Sequence, residues 1–180
     1  MSPDAKHPAS SPLSPTELLA GKNLLLLGTT GFLAKVMLSM LLERFALGKI
    51  YCLVRSQRSK SARERFVDEV LGSEMMEPLR RAFGPSFDAY IDEKVVVVDG
   101  DASKPNLGAS EEVLAELFRE VDLILNSAGL VTFNPPLDDA LEINSIGALE
   151  IARFAAQTRG KRVVHISTCY VAGNRSGHIR

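Results

Sequence analysis

The run Gly28-Thr29-Thr30-Gly31-Phe32-Leu33-Ala34 joins a short aliphatic segment to a longer amphipathic one. Residues of these types at this spacing suit an anion. Gly28 permits a tight turn, and Gly31 lets backbone come close to a pyrophosphate. The first N–H groups of a following helix then face the charge. Ala34 stands where a third glycine often sits, and alanine still allows close packing of helix on strand. An ordinary strand–helix turn is the plain alternative. What separates the two readings is what stands at the other strand ends.

A second aliphatic run ends Leu53-Val54-Arg55. Asp or Glu near this point would meet a free ribose 2′-hydroxyl, whereas Arg suits a 2′-phosphate, so Arg55 favours NADPH over NADH. Arg58, Lys60, Arg63 and Arg65 follow and deepen the positive field, although a solvated helix face accounts for most of these four. After a third run comes Gly100-Asp101-Ala102-Ser103, where Asp101 either accepts from an adenine amino group or caps a turn. After a fourth comes Asn126-Ser127-Ala128-Gly129, small enough for a nicotinamide ribose to lie against the backbone. The fifth run leads into Ser167-Thr168-Cys169-Tyr170. A hydroxyl at such a strand end sits beside the nicotinamide and can donate to a carbonyl oxygen. Cys169 has nothing near it in sequence that lowers a thiol pKa, which argues against a covalent thioester intermediate. His165, inside the run, reads as a core or supporting side chain.

These residues need strands that end together. The aliphatic runs at 24–27, 50–54, 95–98, 121–125 and 163–166 are apolar throughout, as strands covered on both faces must be. Between the first two, Leu33, Val36, Met37, Met40 and Leu41 share one helical face, while Lys35, Ser39 and Glu43 share the other. Gly48 is placed to cap that helix. Further helices are expected over 61–71, 74–83, 110–119 and 136–158, with Pro136 in a first helical turn. Strand and helix in alternation give right-handed crossovers and a parallel sheet. The expected fold class is α/β, a doubly wound Rossmann-like sheet with ligands at the strands' carboxyl ends. Residues 58–93 are too many for one simple crossover and should hold two or more helices.

Composition bounds the rest. The 180 residues, 46% hydrophobic and 24% charged, make about one packed domain and exclude global disorder. A net charge of −1 supplies no field for a nucleic-acid backbone. Two cysteines and three histidines make neither a disulfide framework nor a spaced metal site, so no metal is expected and a reduced, cytoplasmic setting fits. The apolar stretch 24–42 is broken by residues 28–31 and reads as strand plus helix, not a membrane span. Residues 1–20, rich in Pro and Ser, read as a disordered leader ahead of a cofactor-binding domain at 21–180.

The segments GTTGFLAK, YCLVR, VVVVDGDASKPNLG, NSAGLVTFNPPLDDALEINSIGALEIARFA and HISTCYVAGNRSGHI, in this order, resemble the extended short-chain dehydrogenase/reductases. More narrowly, they resemble the NADPH-dependent fatty acyl-CoA reductases and the thioester reductase domains. The helical segment 61–94 is similar to the former and unlike sugar-nucleotide epimerases. The resemblance implies a pyrophosphate loop of Gly28, Thr30, Gly31, Phe32 and Leu33. It gives Arg55 the 2′-phosphate and matches Arg65 to a second phosphate-binding arginine. Asp101 and Ala102 would border the adenine, and Ser127, Ala128 and Gly129 the nicotinamide ribose. Thr168 would polarise the reacting carbonyl while Ser167 supports the cofactor. Asn144 matches a family asparagine whose role is as readily structural as catalytic.

The implied reaction reduces an acyl-CoA or other acyl thioester with NADPH. Hydride delivery gives a hemithioacetal that expels thiol and leaves an aldehyde, and a second transfer would give the alcohol. The family's proton donor is a Tyr followed four positions later by Lys. Here only Tyr90–Lys94 has that spacing, and it precedes the third strand. The pair is therefore expected beyond residue 180, which makes the chain the N-terminal part of a longer reductase, inactive alone. The resemblance places peripheral membrane contact within reach and leaves the oligomeric state open. Two other readings use the same fold: an epimerase or dehydratase acting on a nucleotide-sugar or sterol, and a non-catalytic NADP-binding module.

Overall fold

The computed structural model describes residues 14–168 and 175–178. The five aliphatic runs form five strands: β1 (Leu24–Leu27), β2 (Ile50–Val54), β3 (Val95–Asp99), β4 (Leu123–Asn126) and β5 (Val163–His165). All pair in parallel, in the order β3-β2-β1-β4-β5. The register sets Val54 opposite Asp99, Leu27 opposite Asn126 and Asn126 opposite His165, so the carboxyl ends lie along one edge of the sheet. The chain order reverses at β1, which leaves a crevice between β1 and β4.

Period-two alternation in β1 sends its leucines both ways. Leu24 and Leu26 join Leu38, Leu42, Phe66, Leu79 and Ile91 on one face. Leu25 and Leu27 join Leu117, Ile151 and Phe154 on the other. All four strand leucines are fully buried, each stabilising the fold by about 1.5–3 kcal/mol relative to an exposed side chain. The doubly wound architecture follows from that burial on both faces.

The helices fall where the apolar patterning places them, but the first long one (Phe32–Arg44) buries a different face from the expected one: Ala34, Leu38, Ser39, Leu41 and Leu42 are buried, whereas Leu33 and Met40 are exposed. A single helical turn, α1 (Pro15–Leu19), stands inside the segment expected to be disordered. Its reason is local: Pro15 occupies the first turn, and the Ser14 side chain accepts from the Glu17 backbone N–H. Residues 1–13 lie outside those described. Helix α2 (Phe32–Arg44) has Gly31 as its N-terminal cap and ends with Phe45 N donating to Leu41 O. Gly48 therefore does not cap it. A Cβ there would stand 2.2 Å from Asn23 Oδ1, so the glycine serves close approach to the start of β1.

The long crossover from β2 to β3 holds α3 (Ala62–Arg65), a π-helical extension (Phe66–Leu71), α4 (Glu77–Phe83) and α5 (Phe87–Lys94). Ser61 and Glu64 start it with reciprocal bonds, each side chain accepting from the other's backbone N–H. Helix α6 (Glu111–Glu120) covers the opposite face. Then α7 (Leu137–Leu141), a π turn (Glu142–Ile146) and α8 (Gly147–Ala155) form one helical path to β5. Pro136 is its cap, and the path stops at Ala155, whose carbonyl accepts from the Thr158 hydroxyl at 2.8 Å. Among the described residues no helix is long and apolar enough to cross a membrane.

Candidate cofactor site

The loop after β1 enters a backbone region that favours glycine. Gly28 has φ +80°, and a Cβ built there would lie 2.7 Å from Ala128 N and 2.8 Å from Ser127 C. Two loops from neighbouring strand ends thus meet at a residue without a side chain. Gly31 N donates back to Gly28 O at 2.8 Å, closing the turn just before the first residue of α2. Gly31 offers no side-chain cap, so the first N–H groups of α2, at Phe32 and Leu33, have no intrahelical partner and face outward. Phe32 and Leu33 are both exposed there. Thr29 is buried and donates to Leu26 O at 3.0 Å, while Thr30 is half-buried between loop and helix.

At the ends of β2 and β3, Arg55 Nη1 lies 3.2 Å from Asp101 Oδ2, with the Arg55 side chain 67% exposed. Burial alone would push the Asp101 carboxyl up. The Ser103 backbone N–H and hydroxyl, and then Arg55, outweigh it and hold the group below the ordinary carboxylate range. Ala102 follows, half-buried. Arg65 lies behind Arg55, its side chain 10% exposed. Its guanidinium meets Glu69 in a two-bond fork of 2.7 and 2.9 Å, and Nη1 donates to Arg55 O. This arginine is thus engaged with protein groups, and it touches the neighbouring site through the Arg55 backbone.

At the β4 end two asparagines, Asn126 of the strand-end run and the family-matched Asn144, make contacts whose partners the residue pattern did not give. Asn126, 1% exposed, accepts from Ala128 N at 2.9 Å through Oδ1 and approaches His165 Nδ1 at 2.8 Å through Nδ2. Asn144, carried on the π turn, accepts from Leu130 N at 2.8 Å and donates to Leu130 O at 3.0 Å. Gly129 is exposed, and a Cβ on it would lie 3.3 Å from Asn144 Oδ1. Ser127 donates to Leu27 O at 2.9 Å and ties β4 to β1. One signal was legible: Asn126 ends an otherwise aliphatic strand, where a buried amide needs partners. The pairing of Ser56 with Asp99, at 3.0 and 2.6 Å, likewise joins β2 to β3 without a sequence motif.

Ser167 and Thr168 follow β5 after Ile166 and are exposed at the same edge of the sheet. His165 is itself exposed, which rules out the core placement and leaves the supporting one; β5 is an edge strand, and nothing described covers it. Cys169 and Tyr170 lie outside the described residues. Tyr90 and Lys94 are elsewhere: the Tyr90 hydroxyl donates to Leu42 O at 2.7 Å and Lys94 Nζ to Leu47 O at 3.3 Å. Both serve packing of α5 against the end of α2.

Residues 26–180 match the family model for an NAD-binding domain described as male sterility protein. Fatty acyl-CoA reductase 2, chloroplastic, of Arabidopsis thaliana is 37% identical over 163 residues, covering 89% of this chain and 26% of the relative. The alcohol-forming fatty acyl-CoA reductase of Simmondsia chinensis is 34% identical over 166 residues, covering 91% and 34%. Among solved structures, the terminal R domain from the myxalamid PKS-NRPS biosynthetic pathway superposes with a TM-score of 0.62 at 30% identity, over 83% of this chain and 35% of that one. A thiolation-reductase di-domain from an archaeal non-ribosomal peptide synthetase gives 0.62 at 29%, over 83% and 29%. The chain thus spans about a third or less of these proteins.

Proposed function

Because the chain belongs to the male sterility protein family, with fatty acyl-CoA reductases among its relatives, we propose that it is the cofactor-binding part of an NADPH-dependent acyl thioester reductase. The observation that carries this reading is the meeting of Gly28 with residues 127–128, beside Arg55 and Asp101 at adjacent strand ends. A side chain at position 28 would push the loop after β4 away from the loop after β1, and with it the strand ends between which a pyrophosphate would lie. Gly28, Thr30, Gly31, Phe32 and Leu33 hold that group against the start of α2. Arg55 meets the 2′-phosphate, and Arg65 serves the same phosphate by fixing the Arg55 backbone. Asp101 and Ala102 border the adenine. Ser127, Ala128 and Gly129 line the nicotinamide ribose, with Ser167 supporting it.

When bound, the dihydronicotinamide supplies the hydride that reduces an acyl-CoA carbonyl carbon. Thr168 donates a hydrogen bond to the carbonyl oxygen and draws charge toward it. The C–S bond then breaks, the thiolate takes up a proton and the aldehyde is left; a second hydride with a proton would give an alcohol.

The cofactor assignment is tested by titrating NADPH and NADH, in one buffer, against wild type and Arg55→Ala. NADPH affinity should fall by about 1.5–3 kcal/mol, roughly 10- to 150-fold, and NADH affinity should hold. Equal losses would remove Arg55 from the 2′-phosphate. Failure of the wild type to bind either cofactor would remove the whole reading.

A further inference from the structure

The amide of Asn126 connects two groups whose chemistry fixes its orientation. The backbone N–H of Ala128 can only donate, so the atom it meets at 2.9 Å is the Asn126 carbonyl oxygen. Nδ2 therefore faces His165 Nδ1 at 2.8 Å. An amide nitrogen also only donates, so Nδ1 must accept with its lone pair, and the ring proton sits on Nε2. Asn126 and His165 are register partners on β4 and β5, and Ile166 N donates to Asn126 O at 2.9 Å, which keeps the two side chains abreast. With His165 in place Asn126 is 1% exposed, so the imidazole is the acceptor that its buried Nδ2 meets.

We propose that His165 is a positioning residue: by accepting from Asn126 it holds that amide's oxygen on Ala128 N–H, and so sets residues 127–129 at the nicotinamide end of the site. The inference rests on the reading that these residues border the nicotinamide ribose. Without an acceptor at position 165, the buried Nδ2 is left unsatisfied and the amide turns to find a partner. Its oxygen then leaves Ala128 N, and the loop loses the hold on its amino-terminal side. Asn144 continues to hold Leu130 on the other side, so the fold survives while the loop shifts.

Two ligands separate this role from general stability: NADPH, and 2′,5′-ADP, which has the adenosine end and lacks the nicotinamide. Both are titrated against wild type, His165→Leu and His165→Asn. Asparagine places a carbonyl oxygen near the position of Nδ1, whereas leucine matches the bulk and accepts nothing. His165→Leu should bind NADPH about tenfold more weakly and 2′,5′-ADP unchanged, and His165→Asn should stay within about twofold of wild type for both. The ring ¹⁵N shifts of wild-type His165 in the neutral form should show the proton on Nε2. A proton on Nδ1, equal losses for both ligands, no loss with leucine, or no rescue with asparagine would each overturn the role. Should the leucine variant fail to fold, His165→Phe supplies the same comparison, and the ring tautomer and the asparagine variant still decide. Wild type binding 2′,5′-ADP and NADPH while His165→Leu matches it would sink this inference alone. Wild type binding neither would sink the proposed function and the positioning role with it.

Discussion

Gly28 carries more of the site than its size implies. Its φ of +80° is a region that L side chains enter at a cost of about 1–2 kcal/mol, and the space where a Cβ would go is occupied by Ser127 and Ala128 backbone. Neighbouring backbone cannot swing aside as a flexible side chain would. Gly28→Ala should therefore lower stability by about 2 kcal/mol and weaken NADPH binding beyond that, since β1 and β4 would part at the strand ends proposed to hold the pyrophosphate and ribose. Thermal unfolding and a cofactor titration on the same preparation check both halves. Unchanged affinity with lowered stability would confine Gly28 to folding. A glycine at this position was legible from the order strand, Gly-x-x-Gly, helix. Its partner across the sheet was not, because contact between residues a hundred positions apart leaves no local pattern. Arg55 shows the same division: its type and strand-end place were readable, but its pairing with Asp101 depends on the β2–β3 register.

At the scale of elements, continuous aliphatic runs marked all five strands, since two-sided burial leaves no alternation to misread. The boundaries moved where polar residues join a ladder: β4 starts at Leu123 and includes Asn126, and β3 reaches Asp99. Neither π segment was visible, because the apolar spacing of an α-helix and of one containing a wide turn differ by a single residue. The first of them orders the crossover behind Arg55. Arg65 stands at the junction of α3 with its π extension, and Glu69 on the extension takes the guanidinium in a fork. Hydrogen bonds from Arg65 hold the Glu69 carboxyl below its ordinary value. Arg65→Met keeps the length of the buried stem, leaves Glu69 unpaired and frees Arg55 O. It should lower both thermal stability, by about 1–3 kcal/mol, and NADPH affinity. Arg55→Ala should lower only the second. Should Arg65→Met lose NADPH affinity with no change in stability, its guanidinium meets the phosphate directly.

Across the whole molecule the two ends of the sheet have different tasks. The carboxyl ends of the strands hold the candidate site, whereas the amino ends are tied by Asp122. Its carboxylate accepts from Asn23 N at 3.0 Å, just before β1, and from Arg159 at 3.1 and 2.7 Å, in the turn leading to β5. Val131, Phe133 and Leu137, by contrast, are 75–89% exposed on the loop and helix start beyond β4, an apolar surface that nothing described covers. Stability should therefore depend on the amino-end ties more than on that side of the molecule. Burial pushes the Asp122 carboxyl up, but the Arg159 and Asn23 bonds outweigh it and leave it below the ordinary carboxylate range. Asp101 is held low as well. A carboxyl held low in the folded chain binds its proton less readily there than in the unfolded chain. Acid then favours unfolding: the stabilisation is whole above the unfolded-state carboxylate pKa and is lost as pH falls through the folded value. Asp122→Asn weakens this tie at the amino end without touching the strand ends that hold the candidate site. At neutral pH its Tm should lie about 2–4 °C below wild type. The gap should close as the pH is lowered, because the wild-type carboxyl is then protonated too. NADPH affinity, measured where both proteins are folded, should be the same for the two. Melting curves that stay parallel down the acid range would show that Asp122 acts through packing and not through its charge.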